Sequence, residues 1–288
     1  MAKEDKYSIR DLKKEFPNDN ACLEYLFDTL HSRECSCGGK YALLKGRRQF
    51  QCSKCRFQIA PQIGTIFEKS STPLTLWFHA IFIFSNAKSG ISSKELERQI
   101  GVTYKTAWRI LSLIRKSLGQ NNNRLSGDVE MDEGYFGGKG EGGKYNKNLD
   151  RVMKKKSIVI AAIERQGDMK AEVVRNTQAE TIGAFLVKHV DPQGTRLMTD
   201  ESNRYKLVAK AYDRFMVNHG EKEYVRDDIY VNNVESFWAH VKRSIKGTHK
   251  AISKKHLQSY LDAFVWLRNN RHNDRARFGS LLLVIVRL

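Results

Sequence analysis

Residues 129 to 139 place acidic side chains where a strand-like alternation runs into a glycine-rich segment. In a strand the side chains alternate between two faces, so Glu130 and Asp132 share one face while Met131 and Glu133 share the other. An unpaired carboxylate is costly to bury in a sheet, and Asp132 therefore needs solvent, a cationic side chain or a metal ion. Taken alone, Asp132 is explained more simply as a solvated strand-end residue. The alternation also sets Glu133 apart from it.

The elements predicted around this stretch show how several acids could meet. The pattern of apolar residues predicts strands at 128 to 136, 157 to 163 and 169 to 174, then a helix at 179 to 190, a strand at 195 to 199, a helix at 203 to 211, a short strand at 215 to 218 and a helix at 231 to 245. This is the element order of the ribonuclease H-like fold, in which an antiparallel hairpin adjoins parallel strands. We therefore predict an α/β domain with a mixed sheet flanked by helices.

Three acids converge at one edge of the sheet in that architecture, and Asp132, Asp200 and Glu235 occupy the three places. Phosphodiester chemistry can use two Mg²⁺ ions about 4 Å apart, which activate the attacking oxygen and stabilise the leaving one. Such ions require hard, anionic oxygen ligands. The sequence therefore predicts a Mg²⁺ (or Mn²⁺) site formed by these carboxylates, although any one of them could equally be a surface acid.

Four of the five cysteines form two close pairs, Cys35 with Cys37 and Cys52 with Cys55. Paired thiolates on two tight turns can close a tetrahedral zinc site, and we predict a zinc ribbon with a structural Zn²⁺. The first pair is one residue tighter than the common ribbon spacing, which leaves open whether it holds zinc. Free thiols are the alternative, but they would leave residues 31 to 60 with almost no core.

Residues 92 to 116 have helix-turn-helix spacing, with helices predicted at 92 to 100 and at 104 to 116. The start of the second helix would then contact DNA through Thr103, Tyr104, Lys105, Thr106 and Arg109. The packing of the helices is assigned to Leu96, Ile100, Ala107, Trp108 and Leu111. A plain helical hairpin explains the spacing equally well.

The composition indicates a polyanionic partner. Fifty Lys and Arg residues against 32 Asp and Glu give a net charge of +18, which favours double-stranded DNA over a membrane surface. The N-terminal residues lack the apolar run of a signal peptide, and the apolar run at 281 to 286 is far shorter than the roughly 18 residues of a membrane span. We expect a cytoplasmic protein without a membrane partner.

These predictions combine into a multidomain α+β protein. The first domain, residues 1–70, holds the N-terminal helix and the zinc ribbon, and the helix-turn-helix domain spans residues 71–124. The catalytic domain with its C-terminal helices spans residues 125–288.

The motifs together resemble the zinc-ribbon insertion-sequence transposases with an ISXO-like DDE domain, related to Merlin elements. The resemblance rests on residues 131 to 139, on the strand end at Asp200, on residues 232 to 247, and on the 34 residues between Asp200 and Glu235. It implies binding to terminal inverted repeats, metal-dependent DNA cleavage and strand transfer into target DNA. It also implies a homodimer or larger assembly on DNA and a bacterial, nucleoid-associated location.

The resemblance leaves the third catalytic residue open between Asn232 and Glu235. Some members of the family have Asn rather than Glu at this position, accompanied by a downstream Lys, and here Asn232, Glu235 and Lys242 share one helix face. We prefer Glu235, because a carboxylate holds Mg²⁺ better than an amide does. Lys242, Arg243 and Lys246 are assigned to DNA phosphates.

The alternative function is a sequence-specific DNA-binding regulator with an inactive nuclease-like domain. The acidic triad argues against it. The segment from 137 to 147, rich in glycine and lysine, is expected to close over DNA beside the metal site.

Overall fold

A computed structural model describes residues 6–119, 121–137, 156–202, 204–205, 209–217, 228–271 and 274–286. The basic segment expected to close over DNA lies outside the described residues, apart from Gly137. The chain forms two compact units. The first combines Met1–Leu118 with Asn270–Leu288, and the second is Gly119–Asn269.

The first unit begins with two helices, a small sheet and three further helices. The helices are α1 (Ile9–Glu15), α2 (Asp19–Leu30), α3 (Leu74–Asn86), α4 (Ser93–Ile100) and α5 (Tyr104–Ser117). The sheet is antiparallel, in the order β1 (Tyr41–Leu43), β2 (Phe50–Cys52), β3 (Gln58–Ile59).

The short turn between α4 and α5 is formed by a glycine that ends the first helix and a threonine that caps the second. Gly101 ends α4 in the left-handed region, at φ 69°, where the absence of a Cβ removes the steric penalty. The hydroxyl of Thr103 then caps α5 by accepting a hydrogen bond from the amide of Thr106. These bounds agree closely with the two helices predicted from the sequence.

One packing assignment in this region is wrong. Leu96, Ala107 and Leu111 are fully buried as predicted, but Trp108 is 43% exposed. It follows Tyr104 by one helical turn, and Tyr104 is itself 45% exposed. Two aromatic rings of α5 are therefore exposed to solvent on one face of the helix, because the smaller residues Ala107 and Leu111 fill the core.

The second unit is built on a five-stranded sheet in the order β6 (Met169–Val174), β5 (Ser157–Glu164), β4 (Leu125–Phe136), β7 (Val190–Thr199), β8 (Asp213–Met216). The strands β4, β5 and β6 pair antiparallel, whereas β4 with β7 and β7 with β8 pair parallel. An antiparallel hairpin beside parallel strands is the predicted arrangement. The strand β7 begins earlier than the predicted strand at 195 to 199.

Helices cover both faces of this sheet, namely α6 (Ala179–His189) on one side, and α7 (Asn232–Ser244) and α8 (Leu257–Asn269) on the other. Strand alternation divides the core accordingly. Met131 and Ile160 pack in the layer with α6, while Val159 and Ala161 pack in the layer with α7 and α8. The second unit is therefore a mixed sheet flanked by helices, as predicted.

The C-terminal helix α9 (Asp274–Val286) belongs to the first unit, although the sequence placed residues up to 288 in the catalytic domain. The reason is aromatic packing. Phe278 stacks on Tyr7, with ring centroids 5.1 Å apart, and contacts Phe16 and Phe82 edge-on. Arg277, 5% exposed, donates a hydrogen bond to the carbonyl of Ser85 in α3. Residues 1–118 lie in the same compact unit as this helix.

Among the described residues, no helix is both long enough and apolar enough to cross a membrane.

A buried carboxylate fixes α7 against the sheet. Glu130, on β4, is fully buried and accepts hydrogen bonds from the backbone amide of Asn233 at 2.9 Å and from its side-chain amide at 2.7 Å. Its other donor is Arg165 Nε, at 2.8 Å. The residue preceding α7 provides no side-chain cap, so Glu130 satisfies a first-turn amide and places negative charge at the positive end of the helix.

We expect Glu130→Gln to destabilise the second unit by about 3 kcal/mol, because Arg165 would lose its buried charge partner. The measurement is urea unfolding followed by tryptophan fluorescence. Glu180→Gln, an exposed carboxylate on α6, is the matched control and should change the free energy of unfolding by no more than about 0.5 kcal/mol. Equal stability of the two variants would contradict this role of Glu130.

Candidate active site and metal-binding sites

Three carboxylates lie close together near the C-terminal end of β4. One oxygen each from Asp132, Glu133 and Asp200 lies within 4.8 Å of the other two, and all three residues are half-buried. The structure thus brings together the two predicted aspartates. It adds Glu133, which the strand alternation had set apart.

Strand register explains how residues from both faces of β4 reach one point. The paired residues of β4 and β7 end with Glu130 opposite Met198. Asp200, two residues further along, therefore lies level with Asp132 just beyond the paired region. Among the described residues, no strand pairs with this side of β4 past Glu130, so the side chains of Asp132 and Glu133 can both turn towards the open edge, although they leave the backbone on opposite faces.

The backbone at Asp200 is held from the neighbouring strand β8. Arg214 donates to the hydroxyl of Thr199 and to the carbonyl of Asp200, both at 2.9 Å. One carboxylate oxygen of Asp200 accepts the amide of Ser202 at 3.0 Å. These contacts fix the turn after β7, from which Asp200 contributes an oxygen to the cluster.

Asp132 is oriented by helix α7. Trp238 Nε1 donates a hydrogen bond to Asp132 Oδ2 at 3.1 Å. The close approach of the indole depends on Gly134, because a Cβ there would lie 2.9 Å from the ring of Trp238. The glycine two residues after Asp132 is thus required by packing against α7.

The electrostatics of the cluster favour a bound cation. Burial raises the pKa of Asp132 to about 6, and the negative charges of Asp200 and Glu235 also raise it. Burial likewise raises the pKa of Glu133 to about 7, with the charges of Asp200 and Asp132 adding to the effect. Glu133 Oε1 is buried and has no hydrogen-bond partner among the described residues. Hard oxygen ligands with unrelieved negative charge fit Mg²⁺ or Mn²⁺.

The other predicted site residues lie on or just after α7. Asn232, Glu235, Lys242 and Arg243 are exposed, as is Lys246 in the short π-helical turn Ile245–His249. Glu235 is close enough for its charge to raise the pKa of Asp132, but its carboxylate is not part of the cluster within 4.8 Å. The Lys242 ammonium lies 5.9 Å from the ring centroid of Phe136, on β4.

Glu133, Trp238 and Arg214 lie at the site but were not predicted from the sequence. The position of Glu133 next to Asp132 was a signal, but strand alternation turns the two side chains to opposite faces, and Glu133 was therefore set apart. Nothing in the sequence indicated the contacts of Trp238 and Arg214, since both depend on long-range packing.

The two cysteine pairs meet in the first unit. The sulfur atoms of Cys35, Cys37, Cys52 and Cys55 all lie within 4.8 Å of one another. Two contacts join the pairs, at 3.4 Å between Cys37 and Cys52 and 3.7 Å between Cys35 and Cys55. The tight Cys-x-Cys spacing therefore brings both of its sulfur atoms into the cluster. Four thiols in this arrangement fit a tetrahedral Zn²⁺ ion.

Gly39 makes this arrangement possible. A Cβ at position 39 would lie only 2.5 Å from the sulfur of Cys52 and 3.1 Å from the Cβ of Lys54. Hence the turn after the first pair can approach the second pair only without a side chain.

The predicted DNA-contacting residues line the start of α5. Thr103, Tyr104, Lys105 and Arg109 are exposed, and Thr106 is half-buried. The ring of Tyr104 lies 5.3 Å from the ammonium of Lys94 on α4. This face is basic and aromatic.

Similar proteins are known from transposable elements. The chain is 27% identical over 241 residues to an uncharacterized protein in transposable element ISH50 of Halobacterium salinarum, and the match covers 78% of this chain and 80% of that protein.

Solved structures give weaker likenesses. The Mos1 strand transfer complex has a TM-score of 0.31 at 11% identity, covering 73% of this chain and 75% of that one. A simian T-cell lymphotropic virus intasome in complex with PP2A regulatory subunit B56 gamma has a TM-score of 0.29 at 10% identity, covering 69% and 66%. TM-scores this low do not establish a shared fold.

The family match is decisive. Residues 124–269, just over half of the chain and nearly all of the second unit, match the ISXO2-like transposase domain. With the acidic cluster inside the matched region, the chain belongs to the family of the ISXO2-like transposase domain.

Proposed function

We propose that this protein is the transposase of an insertion sequence, which binds the terminal inverted repeats of its element, cleaves the DNA there and transfers the cut strands into target DNA. The observation that carries the proposal is the meeting of Asp132 and Asp200 at the open edge of β4, inside the region that matches the family. The ISH50 relative, from a transposable element, supports it.

In this proposal Asp132 and Asp200 hold the catalytic Mg²⁺ or Mn²⁺, and Glu235 contributes from the exposed face of α7. When bound, a divalent cation lowers the pKa of the attacking water or hydroxyl group and stabilises charge on the leaving oxygen. Trp238 orients the carboxylate of Asp132, and Arg214 holds the backbone of Asp200.

The α7 helix supplies the other groups that we assign to the reaction. Asn232 is the first residue of α7 and Glu235 lies one turn later, so both remain candidates for the third catalytic residue. We retain Glu235 as the metal ligand, because its charge already reaches Asp132. Lys242, Arg243 and Lys246 are exposed and would contact phosphates of the DNA backbone.

We assign the first unit to DNA recognition. Its cysteine cluster would hold a structural Zn²⁺, and the exposed residues at the start of α5 would enter the major groove as a recognition helix. The net charge of +18 supports contact with DNA phosphates. Because strand transfer involves two element ends, we propose at least a homodimer on DNA, in the bacterial nucleoid.

The alternative, a DNA-binding regulator with an inactive second unit, does not explain why three carboxylates are held close together. Buried like charges are destabilising unless a ligand neutralises them, and no observation on the described residues favours the regulator.

We expect Asp132→Asn to bind element-end DNA normally but to cleave it more than about 100-fold more slowly, because changes next to metal ligands already cost 10–100-fold. Cleavage of a labelled duplex carrying the terminal repeat, with Mg²⁺ or Mn²⁺, is the measurement. Asp213→Asn, at an exposed position on β8, is the matched control and should cleave like the wild type. Cleavage by Asp132→Asn at the control rate would rule out the proposed site.

We expect Gly39→Ala to lower the bound zinc from one ion per chain to less than about half, since the new Cβ would collide with the sulfur of Cys52. The zinc content of each purified protein would be measured by elemental mass spectrometry. Ser36→Ala, an exposed position between the first two cysteines, should keep its zinc. Equal zinc content in the two variants would contradict a zinc site of this geometry.

We expect Arg109→Ala to weaken binding to element-end DNA by about 10-fold or more and to reduce the preference over scrambled DNA, as the loss of a base contact does. Fluorescence anisotropy at fixed salt would report both. Lys116→Ala removes an exposed charge from the far end of the same helix and should have a much smaller effect. If both variants lose affinity equally on both DNAs, α5 is not a recognition helix.

A further inference from the structure

Glu133 reaches the acidic cluster from the side of the sheet opposite to Asp132. Its neighbour on the same face, Met131, packs in the α6 layer, whereas Asp132 faces Trp238 on α7. Nevertheless one oxygen of Glu133 lies within 4.8 Å of oxygens from both Asp132 and Asp200. The cluster is therefore approached from two faces of one strand.

A second buried polar group points to the same place. Tyr205 is fully buried, and its hydroxyl has no hydrogen-bond partner among the described residues. Burial raises its pKa well above the usual value, and the charges of Glu133, Asp200 and Asp132 raise it further. Tyr205 belongs to the core layer on the α6 side of the sheet, together with Leu125 and Ile182.

Two unsatisfied polar atoms near each other are unusual in a folded protein, because each costs about 1–3 kcal/mol. Glu133 Oε1 and the Tyr205 hydroxyl are such a pair: the phenol approaches the Glu133 carboxylate closely enough to lower its pKa, but no hydrogen bond of normal geometry joins them. The charge of Arg204 lowers the pKa of Glu133, but Arg204 is exposed and leaves that oxygen without a hydrogen bond. A cation with its coordinated water would satisfy both atoms and neutralise the three acids together.

We propose that Glu133 is a further carboxylate ligand of the divalent cation held by Asp132 and Asp200, and that Tyr205 is the positioning residue that directs Glu133 towards it. This inference rests on the proposed function, because it adds to the same metal site. It assigns to the site a ligand from the α6 side of the sheet, in addition to any contribution from Glu235 on the α7 side.

The test is binding of Mn²⁺ alone to the zinc-loaded full chain, with free Mn²⁺ counted by electron paramagnetic resonance. We expect Glu133→Gln to weaken Mn²⁺ binding about 10-fold or more, and Glu180→Gln on α6 to leave it unchanged. Asp132→Asn serves as the positive control and should also weaken it. Unchanged binding in Glu133→Gln beside weakened binding in Asp132→Asn would overturn this inference and leave the proposed function standing. Unchanged binding in both would overturn the metal site itself.

Thermal unfolding separates a metal ligand from a structural residue. Without divalent cation, Glu133→Gln should unfold at the same temperature as the wild type or higher, because it removes one of three repelling charges. With saturating Mn²⁺, the wild type should gain more stability than the variant. A variant that is less stable without cation, and that gains as much from Mn²⁺ as the wild type, would show that Glu133 has only a structural role.

Tyr205→Phe removes only the unsatisfied hydroxyl. We expect it to leave the unfolding temperature without cation unchanged or higher, while weakening Mn²⁺ binding several-fold. In the Glu133→Gln background the same change should have no further effect on binding, because Tyr205 acts through Glu133. An equal additional loss in that background, or no loss in the wild-type background, would overturn the positioning role.

Discussion

Asp132, Glu133 and Asp200 each place one carboxylate oxygen within 4.8 Å of the other two. Like charges at this distance repel each other, and the second unit has to hold the three carboxylates together against that repulsion. Burial raises the pKa of Asp132 and of Glu133, and the mutual repulsion of the negative charges raises both further. The surrounding structure resists it with directional contacts: the indole of Trp238 on Asp132, and the guanidinium of Arg214 on the backbone of Asp200. The fold therefore keeps a site in which negative charge is concentrated and which could hold a divalent cation.

The position of α7 depends on a different carboxylate on the same strand. Glu130 is fully buried, but it is paired with Arg165 and caps the first turn of the helix through Asn233. Two residues later on the same face, Asp132 has no cationic side chain in hydrogen-bond contact among the described residues. One face of β4 thus carries an acid that is paired with a cation and fixes the helix, followed by an acid, Asp132, that is held by an indole and faces the site.

Much of this arrangement was predictable from sequence because it depends on local patterns. The alternation of apolar residues predicted β4, β5 and β6, and the element order predicted a mixed sheet with antiparallel and parallel pairs. The two aspartates and the four cysteines were predicted from residue type and spacing, and the structure brings each set together. The Cys-x-Cys spacing was left open, because whether a tight turn can approach the second pair depends on the contact at Gly39.

Tertiary structure alone decided the points that depend on where a strand stops pairing and on which distant side chains fill a space. Glu133 joins the cluster because β4 extends beyond its pairing with β7, and alternation along one strand cannot show that. Tyr205 packs in the core layer beneath α6, close to Glu133. The C-terminal helix α9 joins the first unit because Phe278 meets Tyr7. The sequence thus determined the candidate metal ligands and the class of fold, whereas long-range pairing and packing determined how the acids meet.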